Sequence, residues 1–130
     1  MFTIEQIKEK HAKVKSGADF PQYVQDLIEL GVVRYDVHVV DGHTNYFGKY
    51  DYKIESGPKY EPLQIADKSD ALQFQHYLLI HQHSETDYLT FCKHAAESGV
   101  EQWVMDLDDM MCIYYDKVEN IMKLELIPTV

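Results

Sequence analysis

The chain has 130 residues, 45% of them hydrophobic, and a formal net charge of −10 from 22 acidic against 12 basic residues. That length reads as a single domain, 1–130, able to bury roughly two-thirds of its unfolded-chain surface without a disulfide or metal staple. The hydrophobic content argues against disorder, and the acidic balance excludes a nucleic-acid binder built on a basic footprint.

The amino-terminal Met-Phe-Thr-Ile-Glu-Gln has neither the cationic start nor the apolar core of a secretory signal, and no apolar run approaches a membrane span. Thr3 followed by Gln6 is a capping-box start, and Ile4, Ile7, His11 and Val14 recur at helical spacing. This predicts a helix over 3–15, ended by Ser16-Gly17. The Lys8, Lys10, Lys13, Lys15 run shares it with Glu5 and Glu9, so it reads as a solvated face. Asp19 is placed to cap a second helix, with Pro21 in its first turn, an apolar stripe of Tyr23, Val24, Leu27, Ile28 and Leu30, and Gly31 as the stop. Val33, Tyr35, Val37 and Val39 alternate with Arg34, Asp36 and His38 as a half-buried strand. Asp41-Gly42-His43-Thr44 is a turn signal. A second strand runs from Tyr46 to Ile54, making a hairpin.

Ser56 to Glu61 is a breaker-rich connection, and Pro62 to Ala66 reads as a short extended segment. Ser69 or Asp70 opens a third helix carrying Leu72, Phe74, Tyr77, Leu78 and Leu79 towards His83. Asp87 caps a fourth, with Leu89, Phe91, Cys92, Ala95 and Ala96, and Gly99 stops it. Trp103, Met105 and Leu107 alternate as a strand, Asp108-Asp109 turns the chain into Met111 to Tyr115, and Lys117 to Asn120 turns it again. Met122, Leu124 and Leu126 then form the dry side of a last strand, with Lys123 and Glu125 on the wet side.

Residues 19–48 look like a copy of 87–116: Asp19, Glu29, Gly31, Val32, Asp41 and Tyr46 fall on Asp87, Glu97, Gly99, Val100, Asp109 and Tyr114 at an offset of 68. The expectation is an α+β fold of two αα-ββ pseudo-repeats, about 1–56 and 67–127, with an antiparallel sheet and the helices packed on one face. Both hairpins are assumed to join one sheet.

No catalytic motif is visible. His38 aligns with Asp106 across the repeat, and a His–carboxylate pair suits general acid–base chemistry. His43 sits in a turn beside Asp41, a reasonable place for function. His38, His43 and Asp106 are therefore the catalytic candidates. Each also has a structural reading, as part of a solvated sheet face or a turn. Tyr35, Tyr46, Tyr52 and Trp103 are the ligand-binding candidates, should the seam between the halves leave an aromatic cleft; the alternative is that they pack the core. His76, His81 and His83 lack HxxxH or HExxH spacing and suit a helix C-terminus. Asp106, Asp108 and Asp109 lack the glycine and terminal glutamate of a calcium loop. Cys92 with His94 or His76 lacks a third orienting group. No metal site and no cofactor is expected.

Several segments carry a resemblance: Met1-Phe2-Thr3-Ile4-Glu5-Gln6-Ile7-Lys8, the Asp41-Gly42-His43-Thr44 turn with Tyr46 and Gly48, Ile65-Ala66-Asp67-Lys68-Ser69, Asp87-Tyr88-Leu89-Thr90-Phe91-Cys92-Lys93 and Ile113-Tyr114-Tyr115-Asp116. Together they resemble the YbcV-like or YdfO-like family of prophage-associated bacterial proteins, often labelled phage envelope protein. The resemblance implies an α+β domain of unknown function and supplies no catalytic residues. The reading is a non-catalytic interaction or small-ligand-binding domain, with a protein or small-molecule partner and neither nucleic acid nor membrane. The alternatives are an enzyme or metalloprotein using a His/carboxylate cluster, and a virion structural component. Cys92 and Cys112, with no CxxC pattern, suit a reducing compartment and a cytoplasmic address. Edge strands at both ends of an open sheet invite self-association, so a homo-oligomer is among the expected states.

Overall fold

The computed structural model describes residues 1–15, 17–83 and 85–129. Thr3 opens α1 (Ile4–His11) through a complete capping box: its Oγ1 accepts the Gln6 N–H at 3.2 Å and Gln6 Oε1 accepts the Thr3 N–H at 2.8 Å. The helix is shorter than the expected 3–15. After His11 the chain tightens into i→i−3 bonds, Lys13 N–H to Lys10 O and Val14 N–H to His11 O, which end the α ladder. The expected stop at Ser16 lies outside the described residues. Asp19 does not cap α2 (Phe20–Leu30) with its side chain. It lies in a 3₁₀ turn, Gly17–Asp19, where its carboxylate accepts the Lys15 N–H at 2.8 Å. Gly31 ends α2 at φ 105°, with Gly31 N–H on Ile28 O and Val32 N–H on Leu27 O, the double bond of a Schellman stop. Asp70 caps α3 (Ala71–Gln82) through the Gln73 N–H, and Asp87 caps α4 (Tyr88–Glu97) through the Thr90 N–H.

The strands β1 (Arg34–His38), β2 (Thr44–Phe47), β3 (Lys53–Ser56), β4 (Val100–Asp106), β5 (Met111–Asp116) and β6 (Ile121–Leu126) form one antiparallel sheet in the order β3-β2-β1-β4-β5-β6. The expected second strand is broken in two. Tyr50 and Asp51 take left-handed φ values of 58° and 61° and fold the chain back, with Gly48 N–H on Tyr52 O. β1 meets β4 with Asp36 opposite Val104, two residues 68 positions apart, and the strand order reads alike from either edge of this seam. Left-handed residues recur at the same offset: Gly31 and Gly99, Gly42 and Met110, Asp51 and Glu119.

Tyr35, Val37, Tyr46, Trp103, Met105, Cys112, Tyr114 and Met122 are buried in one cluster with Tyr23, Val24 and Leu27 of α2, Phe74 and Leu78 of α3 and Phe91, Ala95 and Ala96 of α4. The helices thus cover one sheet face and leave the other open. β6 breaks the expected pattern. The register slips between Tyr114 and Tyr115, so Lys123 faces Tyr114 while Ile121 faces Tyr115. The extra residue is Met122, a bulge that keeps Met122 and Lys123 on the helix side and reverses the alternation after them. Leu124 and Leu126, expected inside, lie opposite Ile113 and Met111 on the open face. Glu125, expected on the wet side, takes the Gln82 amide of α3 at 3.1 and 3.2 Å.

Stability is expected to fall on acidification. His81 is held below its ordinary 6.5, chiefly by burial, against the Thr86 bond and the Asp87 charge. Its contribution is complete above pH 6.5 and is lost as pH falls through its lower folded value. Asp87 is held below 3.8 by the Thr90 bonds, and so is Asp116, where burial pushes upward but bonds from Asn120 and Val118 prevail. Their contribution is present above 3.8 and is lost as pH falls further. Melting temperatures recorded from pH 8 to 2 should decline in these two windows, and a rise below pH 6.5 would contradict the assignment.

Candidate functional site

On the open face β1, its turn and β2 assemble a polar cluster. Asp41 Oδ1 accepts the His43 N–H at 3.0 Å and meets His43 Nδ1 at 2.5 Å. This Asx bond fixes the turn, and Gly42, at φ 78°, donates its N–H to His38 O. The His38 and His43 rings therefore stack, with centroids 4.3 Å apart and planes within 3°. His38 Nε2 lies 3.3 Å from Asp36 Oδ1, which accepts the Asn45 amide at 3.1 Å. Asn45 Oδ1 is buried and has no hydrogen-bond partner among the described residues. Burial works to raise the Asp41 carboxyl, but the His43 backbone and ring bonds and the two imidazoles hold it below 3.8. Two stacked imidazoles, each beside a carboxylate, can relay a proton or stack against a planar group. Among the described residues no group of three or more His, Cys, Asp or Glu side chains is placed to hold a metal ion.

Asp106 stands apart from this cluster. Antiparallel pairing sets His38 against Gln102 and Asp106 against Arg34, and the Asp106 carboxylate accepts the N–H groups of Asp108 and Asp109 at 3.1 and 3.0 Å. The aromatic candidates also separate. Tyr35 and Tyr46 pack in the core with tilted rings 5.5 Å apart, and Trp103 packs on Phe91 and Tyr114 at 5.7 and 5.8 Å. Tyr52 is half-buried, donates to Phe2 O at 2.6 Å, and lines an open depression of about 260 Å³ with Arg34, Asp51 and Asp106.

The second half of the open face differs in kind. Val104, Met111, Ile113 and Tyr115 are half-buried there, beside Ile121, Leu124 and Leu126, which are 58, 45 and 77% exposed. Sequence reasoning missed this patch because the Met122 bulge is silent in composition. The available signal was β5 itself: Met-Cys-Ile-Tyr-Tyr is apolar on both faces, as a strand covered on both sides would be.

Residues 8–126 match the profile of a family described as protein of unknown function (DUF1398). The chain belongs to that family. No curated protein matches it. Among the described residues of this DUF1398 chain, no helix is long and apolar enough to cross a membrane.

Neither thiol of the DUF1398 chain is poised to react. Burial raises Cys92 above its ordinary value, against bonds from Tyr60 and Tyr88, and pushes Cys112 up to about 12. The thiolate is the nucleophile, so Ellman's reagent at pH 8 should titrate neither cysteine in the native protein and both in guanidinium. His81, one of the helix-end histidines, stacks on Phe91 at 4.4 Å with Nδ1 beside Thr86.

Proposed function

We propose that this DUF1398 chain is a non-catalytic, cytoplasmic interaction domain of prophage-related origin that binds a protein through the apolar half of its open sheet face. The observation that carries the reading is the row Ile121, Leu124 and Leu126, exposed beside Val104, Met111 and Ile113. A contiguous apolar surface rimmed by polar groups marks association. Two depressions, of about 260 and 500 Å³, are open and carry charged residues such as Arg34, Asp106, Lys68 and Glu97, unlike the enclosed, mostly apolar pocket that a small ligand favours. The cytoplasmic address rests on the two unpaired thiols, and the prophage origin on the sequence resemblance. The test is Leu124→Asp/Leu126→Asp. The variant should keep the wild-type melting temperature within a few degrees and lose its association, whether with a protein co-purified from the host or with a second copy of the chain. If every co-purifying protein and the oligomeric state survive the substitutions, the reading fails. Mass spectrometry of purified phage particles decides the virion reading.

The stacked His38–His43 pair with Asp36 and Asp41 supports a second reading, acid–base chemistry. A broad substrate screen of His43→Ala tests it. Absence of any activity sensitive to His43 removes it.

A further inference from the structure

Taking the interaction reading as its basis, we propose that the partner is a second copy of this chain, joined edge to edge through β6 into a continuous twelve-stranded sheet. β6 is an edge strand, and an unpaired edge is a template for another strand. Which groups it offers follows from the ladder. Ile127 N–H donates to Met110 O at 2.9 Å, and Glu125 lies opposite Cys112. Inward- and outward-bonding residues alternate along an antiparallel strand. Glu125 therefore turns its backbone towards β5, and Leu124 and Leu126 turn theirs outward.

Charge then selects the register. An antiparallel twofold centred on Leu124 sets Leu124 against its own copy with outward N–H and C=O groups facing each other. It also sets Lys123 against Glu125 of the second molecule, twice, both on the helix side. A twofold centred on Lys123 or on Glu125 would put like charges face to face and would meet inward-turned backbone. Only the Leu124 register satisfies both conditions, and directly opposed residues of unlike charge stabilise a strand pair while like charges oppose it.

The helix layer adds an independent observation. On α3, Leu72 and Leu79 are seven residues apart and 80 and 52% exposed. Gln73 and Tyr77 hold the flank towards α4 through Ser98 and Glu97, and Gln82 holds the flank towards β6 through Glu125. Leu79 lies about 60° from Gln82 around the helix, on the side away from α4. Exposed apolar groups of both layers thus line one rim, beside which the copy's β6 and α3 would lie.

Sedimentation velocity from 5 to 200 µM tests the proposal. Wild type should run as a dimer of about twice 15.2 kDa. Lys123→Glu should weaken the dimer about tenfold or more, and Lys123→Glu/Glu125→Lys should restore it. Leu124→Pro removes an N–H that the ladder turns away from β5 and should give a folded monomer, as verified by circular dichroism. A monomeric wild type at 200 µM overturns the proposal, as does a dimer indifferent to all three variants. A monomer that still loses a host partner on Leu124→Asp/Leu126→Asp overturns the dimer alone and leaves the interaction reading standing. A monomer that captures nothing removes both.

Discussion

Phe74→Ala is expected to destabilise the protein by about 3–5 kcal/mol, measured as a shift of the urea midpoint at constant slope. Phe74 is 0% exposed and is where three elements meet: its ring lies 6.0 Å from Phe91 of α4 and 4.9 Å from Tyr114 of β5. Truncation removes the transfer free energy of a benzyl group and leaves a cavity walled by two rings held by their own backbones. Helix and sheet cannot close onto it without shifting α3 across β6. Against a total stability on the order of 5–15 kcal/mol for such a domain, the variant should be marginal at 37 °C. A cost below about 1 kcal/mol would mean that α3 does not pack as described.

Gly99→Ala should cost about 3 kcal/mol, and the corresponding Gly31→Ala only about 1. Both glycines have positive φ, at 87° and 105°, so each alanine carries backbone strain. Their surroundings differ. A Cβ on Gly99 would stand 2.7 Å from Ser69 Cα and 3.1 Å from Lys68 O, backbone atoms that cannot swing aside. On Gly31 it would meet only Phe2 Cδ2, at an ordinary 3.9 Å. The close approach exists because Asp70 N–H donates to Ser98 O at 2.8 Å and Ala66 N–H to Ala96 O at 2.9 Å, which ties the incoming chain to the end of α4. Equal losses for both variants, read from paired chemical melts, would show that this tie does not hold in solution.

Much of this architecture was legible in the residues. Alternation at Tyr35, Val37, Trp103 and Met105 assigned the buried face correctly, because a strand covered on one side only must alternate. Asp70 and Asp87 announced their helices through side-chain caps. The misreadings share one physical origin, local backbone geometry without a residue-type signature. Tyr50 and Asp51 turn the chain in a left-handed conformation usually left to glycine or asparagine, so the residue pattern predicts one long strand where β2 and β3 lie. The Met122 bulge reversed two leucines. The histidine cluster was half visible: Asp41, His43 and His38 were singled out separately, but their stacking depends on the turn bond from Asp41 to the His43 N–H. The repeat offset aligns Asp106 with His38, whereas the antiparallel register of β1 and β4 sets Asp106 opposite Arg34.

The strand order has a kinetic consequence. Among the described residues, four of the five ladders join strands that follow one another along the chain, and only β1 with β4 links segments far apart. Loop-closure entropy is therefore concentrated at a single seam, about 4 kcal/mol for a loop of roughly 65 residues. The two triple-stranded meanders can form as local units, and the meeting of Asp36 with Val104 is the encounter expected to limit the rate. Substitutions along that seam should slow refolding, whereas those in the outer hairpins should chiefly hasten unfolding.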